Sequence, residues 1–164
     1  MPSNNIQEAT LDLVLEQREN RVNIIKQLQK KYPDKTILSF KLNIPGPIKN
    51  NEDYRFAFSS GLEAIDEPII EEIIQLNNIT GPEGFLVIDK PALSVKKNMI
   101  KIEDTHPLGR IFDLDVVGVD RSQLNIGPRK CLICDDIAYA CSRSRKHSLD
   151  TVINKINSMI AAEK

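Results

Sequence analysis

Two aspartates inside an apolar run limit what this chain can build more than any other feature of it. Residues 106–117 read H-P-L-G-R-I-F-D-L-D-V-V. Pro107 and Gly109 mark a turn, and Ile111, Phe112, Leu114, Val116 and Val117 supply the apolar run of a buried strand. Asp113 and Asp115 interrupt that run at i and i+2, positions that share one face of a strand. Two like charges on such a face repel each other and resist burial, and a divalent cation removes both costs. Mg²⁺ suits the pair, because it typically takes one or two protein carboxylates together with substrate phosphates. Arg110, just upstream, has the fork that meets a phosphate with two hydrogen bonds. Two solvated aspartates on a half-exposed strand would give the same spacing.

Around this strand the chain alternates helical and extended patterns. Residues 8–32 carry Leu11, Val14, Leu15, Val22, Ile25 and Leu28 at helical steps, with Thr10 as N-cap and Pro33-Asp34 as the stop. Arg18 and Arg21 lie near one face of that helix, either solvated or facing phosphate. Residues 36–44 alternate as a strand that Pro45-Gly46-Pro47 ends, with Lys49 just beyond. That turn is either a plain corner or a substrate loop formed by Pro45, Gly46 and Lys49. Residues 53–77 carry a helical pattern, with a second helix starting at Pro68. After the turn T-G-P-E-G (80–84) come a short strand at 85–88 and a helix through Ala92, Val95 and Met99 that exposes Lys96 and Lys97. The aspartate strand is expected to span 106–119, and Ser148 to cap a final helix over 149–161.

Between the last two elements lies the most basic segment, P-R-K-C-L-I-C-D-D-I-A-Y-A-C-S-R-S-R-K-H (128–147). Arg129, Lys130, Arg143, Arg145 and His147 offer contacts to an anion, or simply a solvated basic surface. Cys131, Cys134, Cys141 and His147 could complete a tetrahedral Zn²⁺ site, the alternative being small buried thiols. Three cysteines, odd in number and bunched late, fit a reducing cytoplasm better than a disulfide framework. A net charge of -1 argues against a nucleic-acid partner, which a basic excess would normally mark. No run of about 18 apolar residues predicts a membrane span, and the N-terminal M-P-S-N-N-I-Q-E has no signal-peptide pattern. At 164 residues, a single domain over 1–164 is expected. Bottom-up, paired carboxylates beside several Arg and Lys groups point to a phosphate-rich small substrate and displacement at phosphorus.

Several motifs occur together. They are N-I-P-G-P-I-K (43–49), T-G-P-E-G (80–84), H-P-L-G-R-I-F-D-L-D-V (106–116) and P-R-K-C-L-I-C (128–134), the last running on to Ala138, Cys141, Arg143 and His147. In this order the sequence resembles the citrate lyase holo-acyl-carrier-protein synthases, also called apo-citrate lyase phosphoribosyl-dephospho-CoA transferases. The resemblance covers nearly the whole chain. It implies a nucleotidyltransferase that moves the phosphoribosyl-dephospho-CoA group from 2'-(5''-triphosphoribosyl)-3'-dephospho-CoA to a serine of the citrate lyase acyl-carrier subunit, with pyrophosphate leaving.

Joined to the residue chemistry, this makes Asp113 and Asp115 holders of Mg²⁺. Arg110 and members of the Arg129, Lys130, Arg143 and Arg145 set would stabilise the reacting phosphate. His106 and Gly109 join the substrate loop, and His106 or one of the aspartates is the base. The fold expected is α+β, a mixed or antiparallel sheet with helices on one side, nucleotidyltransferase-like by analogy. The Pro-Gly-Pro turn and the aspartate strand should converge on one pocket. Two other functions stay open: the equivalent transfer to the malonate decarboxylase carrier, and a zinc-stabilised binding module without enzymatic activity.

Overall fold

The computed structural model describes residues 6–164; residues 1–5, where the stretch read for a signal peptide begins, lie outside the described residues. Four strands, β1 (Thr36–Leu42), β2 (Ile69–Gln75), β3 (Glu83–Ile88) and β4 (Phe112–Val116), form one sheet in the order β2-β3-β1-β4. Every pairing is antiparallel. Among the described residues, five α-helices accompany it: α1 (Leu11–Lys31), α2 (Glu52–Ala64), α3 (Ala92–Thr105), α4 (Ala138–Ser144) and α5 (Leu149–Glu163). None is long and apolar enough to cross a membrane. The α+β class is as the sequence predicts.

Local chemistry sets three of the helix starts. The side chains of Thr10, Asn51 and Ser148 accept from the backbone N–H groups of Leu13, Tyr54 and Thr151, satisfying donors that the first turn leaves free. Strand alternation then sorts the core. Leu38, Phe40, Leu86, Ile88, Phe112, Leu114 and Val116 face one side, where α2, α3 and α5 bring Phe58, Met99, Ile156 and Ile160. Phe40 stacks on Phe58 at 4.7 Å and meets Phe112 edge-on at 5.3 Å. The other face carries Ile37, Phe85 and Val87 under Leu28, Ile24 and Ile25 of α1.

Four expectations need correction. Helices cover both faces of the sheet, not one, because α1 takes the second face. The stretch after Pro68 is strand β2 rather than helix. Its I-I-E-E-I-I-Q pattern suits either state, and pairing with β3 decides it, with a bulge between Ile69 and Glu71. The aspartate strand is shorter than 106–119: α3 runs on to Thr105, His106 caps it, and a 3-10 turn (Gly109–Ile111) precedes β4. Gly109 fits this corner because a Cβ there would stand 2.4 Å from the carbonyl oxygens of Ile102 and Glu103.

Finally, Lys96 is buried rather than exposed. It serves the open edge of β4, which has no strand beyond it among the described residues. Lys96 Nζ donates to the Leu114 carbonyl at 3.4 Å and Arg129 Nη1 to the Phe112 carbonyl at 2.7 Å. The Leu114 N–H donates to Glu103 Oε2 at 3.2 Å. Side chains thus occupy an edge that would otherwise pair with another chain.

Candidate functional site

Sheet register builds the site. Gln75 lies opposite Glu83, Glu83 opposite Lys41, and Lys41 opposite Asp113, so one row of polar side chains crosses all four strands on the α1 face. Ser39 and Asp115 stand in the next row, and the apolar residues under α1 follow. Lys41 Nζ is 3.0 Å from Asp113 Oδ2. Arg21 Nε donates to Glu83 Oε1 at 2.6 Å, and Gln17 donates to the other carboxylate oxygen. Buried Glu83 therefore fixes the N-terminal half of α1 over the charged row.

Gln17, Arg21, Lys41 and Glu83 wall a trough of about 180 Å³, together with Arg18, Lys49 and the loop 80–83, and Asp113 adjoins it through its pair with Lys41. Gly81, at φ +114°, brings that loop onto the Lys49 backbone; a Cβ there would stand 3.1 Å from the Lys49 carbonyl oxygen. Lys49 Nζ donates to the Ile44 carbonyl, and burial, with help from the charge of Lys41, holds the amine below the usual lysine range. The two loops and the aspartate strand thus meet at one end of the sheet. The tip of the Pro45-Gly46-Pro47 turn points elsewhere, since a Cβ at Gly46 would touch the Leu149 side chain of α5. A larger concavity of about 440 Å³, lined by Asn50, Asn51, Arg55 and Asn78, lies across the contact between the two loops.

Asp115 still meets solvent, yet partial burial and then the charge of Asp113 push its carboxyl above the ordinary aspartate value; Lys96, Lys41 and Arg21 act against that rise. Among the described residues it has no ion-pair partner. Asp113 and Asp115 share the α1 face of β4, and no third carboxylate joins them among the described residues. Two carboxylates on one strand face have the donor chemistry Mg²⁺ takes, so these are the residues that would hold that ion.

The other predicted residues fall into separate groups. His106 sits on the opposite sheet face: its ring packs 4.9 Å from Phe112, and its Nδ1 accepts from the Leu108 N–H at 2.9 Å. Burial lowers its pKa, against the pull of Glu163. Arg110 donates to the carbonyls of Lys130 and Cys131 at 2.6 and 3.3 Å. Arg129 donates to those of Gly109, Arg110 and Phe112 and stands 3.4 Å from Glu103. The two arginines tie residues 129–131 to the start of β4. Lys130, Arg143 and Arg145 are exposed, and Arg143 donates to the Tyr139 hydroxyl at 2.9 Å. Cys131, Cys134, Cys141 and His147 converge, with one ligand atom from each lying within 4.8 Å of the others.

Gln17, Lys41 and Glu83 escaped the sequence reading. The signal for Lys41 and Glu83 was a charge within or next to an otherwise apolar strand pattern. Gln17 carried none.

The structure defines an α+β protein whose antiparallel sheet presents paired carboxylates and several cations at one end. Residues 9–163 match the family described as apo-citrate lyase phosphoribosyl-dephospho-CoA transferase (CitX), and the chain belongs to that family. It is 37% identical over 162 residues to a probable apo-citrate lyase phosphoribosyl-dephospho-CoA transferase of Vibrio cholerae, covering 92% of this chain and 90% of that protein. A protein of the same description from Streptococcus pyogenes is 34% identical over 159 residues, covering 90% of this chain and 83% of that protein. Protein CitXG of Leuconostoc mesenteroides subsp. cremoris is 37% identical over 158 residues; the match takes 90% of this chain but only 34% of that longer protein.

Proposed function

We propose that this chain transfers phosphoribosyl-dephospho-CoA from 2'-(5''-triphosphoribosyl)-3'-dephospho-CoA to a serine of the citrate lyase acyl-carrier subunit, as a nucleotidyltransferase acting in the cytoplasm. The observation that carries this reading is that the family match spans every element that walls the trough. The names of the relatives favour the citrate lyase carrier over that of malonate decarboxylase.

In this reaction the serine Oγ forms a bond to the phosphorus attached to the ribose. The phosphoanhydride bond beyond it breaks, and pyrophosphate leaves with the bonding pair. Arg18, Arg21 and Lys49 line the trough and offer cations to the triphosphate, while Glu83 holds Arg21 in one orientation. Asp113 and Asp115 would hold Mg²⁺, which when bound supplies further charge neutralisation to a polyphosphate. Of the groups that could take the serine proton, the carboxylates share the trough face and His106 does not, which favours an aspartate. Arg110 and Arg129 act through backbone carbonyls and position β4. A sheet of the nucleotidyltransferase kind, with its acidic pair on an edge strand, is the fold relationship this reading implies.

The test is incubation of the protein with the triphosphoribosyl precursor, Mg²⁺ and purified apo carrier, read by intact-protein mass. The expected result is a mass gain of one prosthetic group on the carrier serine with release of pyrophosphate. An unchanged carrier would sink the proposal.

A further inference from the structure

We propose that Cys131, Cys134, Cys141 and His147 form a closed, structural Zn²⁺ site that holds residues 131–147 together. This does not depend on the transfer reaction. Cys134 Sγ lies 3.5 Å from Cys141 Sγ and 3.4 Å from His147 Nε2. Tetrahedral zinc with Zn–S of about 2.3 Å and Zn–N of about 2.0 Å sets its ligand atoms roughly 3.5–3.8 Å apart, so the four groups need only small adjustments to close on one ion. The three thiols are free, and no pair of them is at bonding distance. A disulfide would also strand the third cysteine and the histidine, whereas zinc uses all four.

The surroundings fit a thiolate site. The Ile133 N–H donates to Cys131 Sγ at 3.4 Å, and Lys146 Nζ donates to Cys134 Sγ at 3.6 Å while pairing with Asp136. Such donors support metal-bound thiolates. Three thiolates and one Zn²⁺ carry a net charge of about -1, which Lys146 meets directly. Little regular structure otherwise holds the segment together. It has one short helix, α4, and one isolated bridge, Lys130 to Ile137. Its ties to the core are Leu132, packed on the main cluster, and the two arginines above. His147 immediately precedes Ser148, the cap of α5, so the ion would fix where that helix begins. Soft ligands without carboxylates select zinc over Mg²⁺, and four protein ligands leave no open position for chemistry.

The experiment uses the full chain, purified under reducing conditions without chelator. Elemental analysis should find about one zinc per chain. Reduced metal-free protein titrated with Co²⁺ should develop the intense visible bands of tetrahedral cobalt and a thiolate-to-cobalt charge-transfer band. Cys134→Ser should lose the metal, and Asp113→Asn should retain it. If Cys134→Ser does not fold, the wild-type cobalt spectrum decides. Iron in place of zinc, a weak octahedral cobalt spectrum, absence of binding, or metal lost with Asp113→Asn but kept with Cys134→Ser would overturn the proposal.

Discussion

Lys41 Nζ and Asp113 Oδ2 stand 3.0 Å apart across the β1–β4 pairing, on strand positions that lie directly opposite. Both side chains are more than a third exposed, at 36% and 40%, so the pair is worth at most about 1 kcal/mol of stability. Substitution there should therefore register in activity rather than in folding. Asp113→Asn and Asp115→Asn are each expected to lower transfer to the carrier by about 100-fold or more, with the melting temperature within a few degrees of wild type. Intact-mass kinetics and a thermal melt check both. Full activity in both variants would remove the aspartates from the reaction.

Asp115 should titrate above the ordinary aspartate value of 3.8, because burial and then Asp113 disfavour its charged form. Replacing Asp113 with Asn removes the second cause, so the Asp115 midpoint should fall in that variant. Carboxyl-carbon NMR titration reads the change. An unmoved midpoint would mean the two carboxylates do not sense each other.

Glu103 is buried and sits between Arg121 at 3.3 Å and Arg129 at 3.4 Å, accepting from the Leu114 N–H. Glu103→Ala strips the β4 edge of its acceptor and leaves Arg121 with Asp104 and the Gly127 carbonyl. It should cost about 3 kcal/mol in denaturant unfolding, whereas Glu103→Gln keeps an acceptor and should cost less. Burial outweighs the arginines and raises the folded-state pKa of Glu103 above 4.5. Its folded form thus holds the proton more tightly than the unfolded chain. The stability it lends is full below pH 4.5 and declines as pH rises through the raised value. Glu103→Gln should flatten that limb of the stability profile.

Gly81→Ala combines a positive φ with a Cβ 3.1 Å from the Lys49 carbonyl oxygen. A cost of about 1–3 kcal/mol is expected, together with a loss of transfer as Lys49 shifts. Denaturant unfolding and carrier modification measure the two effects. Gly127→Ala, where a Cβ meets nothing within 4 Å, is the matched control.

Much of this chain is legible one element at a time. Thr10 and Pro33 bracket α1, Ser148 starts α5, and the alternation of residues 36–42 makes a strand, because caps, breakers and period are local physics. The placement of Asp113 and Asp115 on one face follows from strand geometry alone, and three cysteines and a histidine within 17 residues already read as a candidate metal set. Tertiary structure decided the rest. The I-I-E-E-I-I-Q stretch became strand because β3 offered a partner, and Lys96 went inside because β4 ended the sheet with bare carbonyls. Glu83 found Arg21 across 62 positions of chain, and Arg129 found the carbonyls of Gly109 and Phe112. Those outcomes depend on which groups folding leaves unpaired and which charges it brings within reach, and neither is encoded in the residues on either side.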